Sequence, residues 1–302
     1  MSDDSIGYRI VHQTRYAYSD PVATCQNQIR MQPSTRLGLV CHSTDVTIEP
    51  PPDRVAQHRD YYGNRVYSFA IESLHRSLTV NVQSVVTVQT PVLPQDLLVP
   101  EWEQLADLDQ KAFSPDGQVP ITEFRFDSPR IARSSVFAQY ALKSFTPRRD
   151  VVTALLDLTQ RIHKDFRYDP DATEVDTSTE AAFQLRAGVC QDFAHIQIAC
   201  LRSIGLSARY VSGYLRTIPA PGKAPLVGAD ESHAWISAYA GPEFGWIACD
   251  PTNATFAGNQ HIPVCAGRDY DDVSPMRGVV LGGGKTKLEV SVDVTPIEPV
   301  TS

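Results

Sequence analysis

The chain has 302 residues, a formal net charge of −8, and ordinary apolar and charged contents of 42% and 21%. Its length suggests about two domains, and no apolar run reaches the roughly 18 residues of a membrane-spanning helix. The negative charge and the scattered lysines and arginines exclude the basic surface typical of nucleic-acid-binding proteins. The acidic start of the chain, MSDDSIGYRI, lacks the basic and apolar parts of a secretory signal. A cytoplasmic protein is therefore expected.

The cysteines are too sparse for a disulfide scaffold, and no two of them form a C-x-x-C pair. Free thiols are therefore expected at all six positions: Cys25, Cys41, Cys190, Cys200, Cys249 and Cys265.

Residues 8–88 alternate apolar and polar side chains in short runs, most regularly at residues 78–88. Such alternation is typical of antiparallel strands with one buried face. Turn signals separate the runs, and Gly63 with Asn64 is placed to close a tight hairpin. We predict an all-β domain, a small antiparallel sandwich, over residues 1–95. A proline-rich linker is predicted near residues 90–100.

Residues 96–302 form the second predicted domain, in which helices come first and a sheet follows, so the chain belongs to the α+β class. Apolar side chains at helical spacing, the capping-box pattern TSTE at residues 177–180 and a terminal glycine at 205 mark the helices. Helices are predicted at residues 149–166, 177–188 and 189–204. Strands are predicted at residues 207–214, 232–240, 246–250 and 287–294. The last of these could return to the edge of a sheet.

Cys190 is the first candidate for a reactive side chain. It is predicted in the first turn of a buried helix, where unpaired N–H groups and the positive end of the helix dipole stabilise a thiolate. By residue type alone a buried structural cysteine is the alternative. The helix position and the polar neighbours Gln191 and Asp192 make the two interpretations comparable.

His233 and Asp250 are the candidates that complete the site. His233 shares one strand face with Trp235, and Asp250 ends the apolar strand Trp246–Asp250. A hairpin turn within residues 241–245 in an odd-sum register would place Asp250 opposite or diagonal to His233. Considered alone, His233 would be interpreted as a structural histidine, and Asp250 as the first residue of a turn-initiating Asp-Pro pair. Together with a thiolate they supply nucleophilic attack, proton exchange and orientation of the imidazole.

The tetrahedral oxyanion would be held by the backbone N–H of Cys190 and by a second donor. Gln184 and Tyr168 are the candidates for that donor. Further candidates for lining the cleft are Trp235, Arg268 and Tyr270. This chemistry needs no metal and no cofactor, and the sequence contains no EF-hand loop.

Other titratable residues receive structural interpretations. His195 follows Cys190 by five residues and so lies on a different helix face, and Asp192 complements the helix dipole. A metal site is the alternative for one later cluster, which lacks paired ligands at a recognised spacing. That cluster consists of His261, Cys265, Asp269 and Asp271.

Four segments resemble, in order, the blocks of the bacterial transglutaminase-like superfamily. They are GVCQDFAH (188–195), ARYVSGY (208–214), ESHAW (231–235) and GWIACDPTN (245–253). HQTRYAY (12–18), DYYGN (60–64) and the segment 261–275 are similar to further parts of this group, so the resemblance covers nearly the whole chain. It implies a papain- or transglutaminase-like core, with the nucleophile helix packed on an antiparallel sheet. It also implies a triad of Cys190, His233 and Asp250.

The resemblance implies an enzyme that forms a thioester acyl-enzyme at the amide bond of a peptide or protein. Water would resolve it in a peptidase or amidase, and an amine in a transglutaminase. The superfamily also has members without activity, so a binding module with a vestigial cleft is one alternative and a structural zinc protein another. No nucleic-acid or membrane partner is expected, and the sequence does not determine the oligomeric state.

Overall fold

The structure, a computed structural model, describes residues 5–36, 38–90, 97–106, 119–217 and 231–299. The strands are β1 (Ser5–Ile29), β2 (Leu39–Glu49), β3 (Arg54–Arg59), β4 (Arg65–Ile71), β5 (His75–Gln89), β6 (Arg167–Tyr168), β7 (Ala187–Gly188), β8 (Ala208–Leu215), β9 (Glu231–Tyr239), β10 (Trp246–Asp250), β11 (Thr255–Phe256), β12 (His261–Gly267), β13 (Met276–Gly282) and β14 (Thr286–Ile297). The α-helices are α1 (Trp102–Ala106), α2 (Ser135–Ala141), α3 (Val151–Asp165), α4 (Thr179–Leu185), α5 (Cys190–Ser203) and α6 (Tyr270–Val273), and a 3₁₀ helix spans Ile121–Arg125.

A seven-stranded antiparallel sheet forms the N-terminal part, in the order β2-β5-β1-β4-β3 with β13 and β14 also paired to β1. The long strand β1 changes partners along its length: residues 7–17 lie between β5 and β14, and residues 25–29 lie between β4 and β13. The predicted α+β class and the antiparallel N-terminal strands are confirmed. The strands form one sheet instead of the two facing sheets of a sandwich.

The reason for this single sheet lies in what covers its inner face. Tyr8, Ile10 and Val88 are buried in the same apolar core as Leu158 of α3 and Ile198 of α5. The far half of the sheet has a smaller core of its own, which includes Val22 and Leu78. The helical part of the chain therefore provides the burial that a second sheet would provide in a sandwich.

The alternating strand predicted at residues 287–294 is confirmed, and β14 extends it at both ends. It pairs with β1, with Ile10 opposite Val294. The N-terminal sheet therefore contains strands from both ends of the chain. The division into residues 1–95 and 96–302 stays a prediction, and residues 91–96 of the predicted linker lie outside the described residues.

The helices form where apolar spacing predicts them, with small shifts at their ends. Helix α3 begins after Asp150, whose carboxylate accepts a hydrogen bond from the backbone N–H of Thr153 at 2.8 Å. Helix α4 begins after Ser178, one residue later than the capping-box pattern suggests, and ends at Arg186 in the left-handed conformation. No helix in the described ranges is long and apolar enough to cross a membrane.

Helix α5 is the centre of the second part. Nearly all of its side chains are buried, and it packs against β8 and β9 and against α2, α3 and α4. The sheet beneath it has the order β11-β10-β9-β8-β12. The predicted packing of this helix on an antiparallel sheet is confirmed.

Strand β12 is the edge at which the N-terminal sheet meets this second sheet. The side chain of Asn64 accepts from the backbone N–H of Ala266 and donates to its carbonyl, both at 2.9 Å. Arg36 donates to the carbonyl of Val264 at 3.0 Å. The predicted turn at Gly63 and Asn64 is confirmed. The side chain of Asn64 bonds to the N–H and the carbonyl of one β12 residue, as the backbone of a neighbouring strand would.

Arg202, near the end of α5, is 1% exposed and satisfies several backbone carbonyls at once. Its guanidinium donates at 2.7–3.2 Å to the carbonyls of Phe124, Phe126, Ala208 and Arg268. Ala208 and Arg268 lie at the paired ends of β8 and β12, whereas Phe124 and Phe126 lie at the end of the 3₁₀ helix, outside this sheet. Arg202 therefore ties the end of the 3₁₀ helix to the start of β8 and the end of β12.

Replacing Arg202 by Met should lower the free energy of unfolding by about 3 kcal/mol or more, because four backbone carbonyls lose the donor that a buried guanidinium provides. Urea unfolding followed by circular dichroism measures the change. Arg133→Met is the control, since Arg133 makes an exposed ion pair with Asp127 at 2.7 Å and should cost less than about 1 kcal/mol. Equal losses in the two variants would contradict this role of Arg202.

Candidate active site

Cys190 is the first residue of α5 and is half-buried, so its thiol borders solvent. Asp192, two residues further on, accepts from the backbone N–H of Val189 at 2.9 Å and from the Thr173 hydroxyl at 2.7 Å. Burial raises the pKa of Asp192, although these hydrogen bonds oppose the rise. Gly188 makes room for this carboxylate, since a Cβ there would lie 2.4 Å from its Oδ2. Asp192 thus caps the start of α5, which agrees with the prediction that its carboxylate complements the helix dipole.

Two neighbouring strands bring His233 and Asp250 together. In the β9–β10 hairpin Cys249 pairs with Ile236, so the numbers of the two paired residues add up to an odd number. Continued by one residue, this register sets Asp250 opposite Trp235 and diagonal to His233. The predicted register is therefore confirmed. The other face of β9, which carries Ile236, packs into the core under α5.

The two side chains are in direct contact: His233 Nε2 donates to Asp250 Oδ2 at 2.8 Å. His233 is also hydrogen-bonded to Cys190. Since Nε2 faces the carboxylate, Nδ1 is the ring nitrogen left for the thiol. The three predicted residues therefore lie in series: sulfur, imidazole and carboxylate.

The charges in this series follow from the contacts. Burial opposes a positive charge on His233, but its hydrogen bonds to Asp250 and Cys190 and the charges of those groups outweigh burial and raise the pKa of His233 to about 10. Burial also acts against the charge on Asp250, but hydrogen bonds from His233 and His261 hold its pKa well below the usual range. The imidazole is protonated at neutral pH and the carboxylate is ionised. A cationic neighbour of this kind stabilises a thiolate.

Asp250 is completely buried, and both of its oxygens accept several hydrogen bonds. Oδ1 accepts from the backbone N–H groups of Thr252 and Asn253, at 2.9 and 3.2 Å. Oδ2 accepts from His233, from Asn253 Nδ2 at 2.7 Å and from His261 Nε2 at 2.9 Å. The backbone contacts are those of an Asp-Pro turn, so the turn interpretation of Asp250 and its contact with the histidine are both realised.

The remaining cleft candidates lie at different distances from the thiol. Tyr168 pairs with Gly188 in the β6–β7 bridge, two residues before Cys190, and is 47% exposed. Gln184 is exposed on α4. The role of either residue as the second oxyanion donor stays a prediction.

Three further candidates have defined neighbours. Trp235 is buried and packs edge-on against the His261 ring, with 5.3 Å between centroids. Arg268 donates to Asp272 at 2.9 and 3.0 Å. Tyr270 is half-buried, with its ring 6.4 Å from that of Tyr210. Trp235 shields the histidines from the side, and cleft contact by Arg268 and Tyr270 stays a prediction.

The four residues considered as a metal site, His261, Cys265, Asp269 and Asp271, each bond to different partners. Cys265 donates its thiol hydrogen to the carbonyl of Arg30 at 3.5 Å. Asp269 accepts from the N–H of Asp271 at the start of α6, and Asp271 forms an ion pair with Arg130 at 2.8 Å. His261 meets Asp250 instead. The structural interpretation of His195 agrees with its burial, which lowers its pKa to about 3 with help from nearby arginines.

Sequence reasoning missed two partners of Asp250. Asn253 had a usable signal, because Asp-Pro initiates a turn and the short side chain of an asparagine in a turn bonds to nearby groups. His261 was considered only as a metal ligand. No sequence signal linked it to Asp250, because it lies on β12, which two other strands separate from β10.

The raised pKa of His233 predicts a pH-dependent stability. Because the pKa of about 10 in the folded protein exceeds the ordinary histidine pKa of 6.5, protonated His233 stabilises the fold fully below pH 6.5, and this contribution is lost as pH rises through about 10. The difference in unfolding free energy between wild type and His233→Asn should therefore be largest near pH 6 and shrink towards pH 10. Urea titrations across this range measure it, with the exposed His58→Asn as control. A difference that stays constant with pH would refute the assignment.

Comparisons with known proteins agree with this architecture. Residues 8–87 match the bacterial transglutaminase-like N-terminal region, and residues 138–251 match the transglutaminase-like superfamily. An uncharacterised protein of Mycobacterium tuberculosis is 38% identical over 301 residues, which is 96% of this chain and 93% of that protein. A protein-glutamine gamma-glutamyltransferase of Pseudomonas aeruginosa is 35% identical over 124 residues, 40% of this chain and 18% of that protein.

The fold is also found in a solved structure. A candidate cysteine protease from Cytophaga hutchinsonii superposes with a TM-score of 0.76 at 20% identity, covering 99% of this chain and 93% of that one. At this identity the likeness concerns the fold alone. The two family matches in order along the chain, together with a relative aligned over nearly its full length, show that this protein belongs to the bacterial transglutaminase-like superfamily.

Proposed function

We propose that the protein is a cysteine-dependent amide hydrolase or acyltransferase. Cys190 is the nucleophile, His233 is the acid and base, and Asp250 orients the imidazole. The observation that carries this proposal is the continuous hydrogen-bonded series from Cys190 through His233 to Asp250, with 2.8 Å between the last two. Such a series on a solvent-bordering thiol is the arrangement that nucleophilic catalysis requires.

The proposed reaction has two halves. The Cys190 thiolate attacks the amide carbonyl carbon, and the oxyanion accepts a hydrogen bond from the backbone N–H at the start of α5. As the C–N bond breaks, the protonated His233 gives its proton to the leaving amine or ammonia, and a thioester remains. Neutral His233 then takes a proton from water or from an amine, whose attack on the thioester releases the product and the thiolate.

The substrate class we propose is an amide of a peptide or protein. The relative named a protein-glutamine gamma-glutamyltransferase shares only part of this chain, so a glutamine side chain is the first acyl donor to try. We place hydrolysis ahead of transfer to an amine because the described residues present no surface that points to a second protein as the amine acceptor. We also propose a cytoplasmic location, in which all six cysteines stay as free thiols.

A thiol-directed electrophile should label Cys190 first. Four cysteines are buried, and burial raises the pKa of Cys249 and Cys265 to about 12. Cys41 is half-buried like Cys190, but its sulfur contacts the Ser43 carbonyl at 3.6 Å and the Thr44 hydroxyl at 3.4 Å. Iodoacetamide at neutral pH should therefore alkylate Cys190 at least about tenfold faster than Cys41, as measured by peptide mass spectrometry over time.

The control for this labelling is His233→Ala, which should bring the two rates closer together because the cationic neighbour is gone. Equal labelling of Cys190 and Cys41 in the native protein would count against an activated thiolate.

Incubation with glutaminyl peptides should give a covalent adduct detected by intact mass, and the adduct should decay to glutamate or, with an added amine, to the amide product. Cys190→Ala should abolish both adduct and turnover while leaving the circular dichroism spectrum unchanged. Cys41→Ala, the matched control at a thiol of similar exposure, should keep both. Turnover that survives in Cys190→Ala would refute the mechanism, and the absence of any adduct across a broad peptide set would favour a binding module with a vestigial cleft.

A further inference from the structure

The carboxylate of Asp250 carries a second imidazole. His261 lies at the start of β12 and is 7% exposed, and its Nε2 is 2.9 Å from the same Oδ2 that His233 contacts. The two rings lie 6.2 Å apart between centroids. One oxygen therefore binds the proposed acid–base histidine and another histidine with no part in the reaction described above.

The contacts of His261 determine its tautomer. The backbone N–H of Gly258 donates to Nδ1 at 3.2 Å, so Nδ1 carries a lone pair. The proton of the neutral ring must then be on Nε2, from which it is donated to Asp250. Trp235 packs against the ring face-to-edge and keeps it in place. His261 is therefore a fixed hydrogen-bond donor to the carboxylate.

This geometry also distinguishes a proton network from a metal centre. The ligand atoms of His233, Asp250 and His261 lie within 4.8 Å of one another. A metal-bound imidazole, however, donates from its other nitrogen to an acceptor, whereas the group beside Nδ1 of His261 is itself a donor. The nitrogen–oxygen separations of 2.8 and 2.9 Å are those of hydrogen bonds, while tetrahedral zinc ligands would be roughly 3.3 Å apart.

We propose that His261 is a positioning residue that acts on His233 through Asp250. This inference rests on the proposed function of Cys190, His233 and Asp250. By donating to the shared oxygen, His261 keeps the carboxylate ionised and takes part of its negative charge. Asp250 then stabilises the protonated form of His233 less strongly than a carboxylate that His233 did not share with a second donor. His233 therefore releases its proton to the leaving amine more readily.

Among the described residues, the titratable groups against His233 come from three elements: Cys190 on α5, Asp250 on β10 and, beyond it, His261 on β12. Removing the thiol by Cys190→Ala isolates the effect of the other two. In that background the titration of His233 can be followed by NMR of ¹³Cε1-labelled histidine, with no need for a substrate.

Two substitutions separate the hydrogen bond from the packing. His261→Leu removes the donor and keeps an apolar side chain beside Trp235, and His261→Gln restores an N–H donor at similar reach. His75→Leu is the matched control, because His75 is an equally buried histidine in the N-terminal sheet, bonded to Ser73 and Cys25.

In the Cys190→Ala background, His261→Leu should move the His233 titration to higher pH by about one unit. His261→Gln should titrate close to the parent, and His75→Leu should leave the His233 titration unchanged. With Cys190 present, His261→Leu should lower kcat about tenfold or more with little change in KM, and His261→Gln should recover most of it.

The proposal is overturned if His261→Leu leaves the His233 titration in place or moves it down, since either result would assign His261 to packing alone. It is also overturned if the Gln variant behaves like the Leu variant. Binding of one equivalent of Zn²⁺ by the native protein, lost in His261→Leu, would instead make the three residues a metal centre. Failure of the proposed enzymatic function would show as absent turnover in the native protein and would leave the titration result unaffected.

Discussion

The Asp250 carboxylate is completely buried, and five N–H donors from the β10 turn, β9 and β12 reach its two oxygens. A buried charge is unfavourable unless it is compensated by hydrogen bonds or a counter-charge. Here the compensation comes from both, because His233 is protonated beside it. The three chain segments that supply these donors must therefore keep their relative positions. That requirement links the sheet topology to the chemistry proposed for the thiol.

The N-terminal sheet contributes to this arrangement through β12. Asn64 and Arg36 bind backbone groups of β12, and the thiol of Cys265 donates to the carbonyl of Arg30. The same strand begins with His261. The β domain thus stabilises the strand that delivers the second histidine to Asp250, which gives it a structural role at the site.

The thiol has a different environment from the carboxylate. Helix α5 is buried over most of its length, with Arg202 satisfying carbonyls near its end, while its first residue stays at the surface. Asp192 caps the backbone just before Cys190, so the helix start is well defined although it borders solvent. A well-packed helix with an accessible first residue suits the nucleophile role proposed for Cys190.

The sequence by itself determined the local elements and the residues of the proposed triad. Periodicity predicted α3 and α5, strand alternation predicted β14, and a short apolar run predicted β10. An odd-sum hairpin register was enough to bring Asp250 beside His233. These are contacts between neighbours in sequence or across one turn. Only the tertiary structure decided that β14 joins β1 and that His261 shares the carboxylate. Both depend on how distant strands are ordered in the sheets, and a pattern of apolar residues along the chain determines which face is buried but not which strands lie side by side.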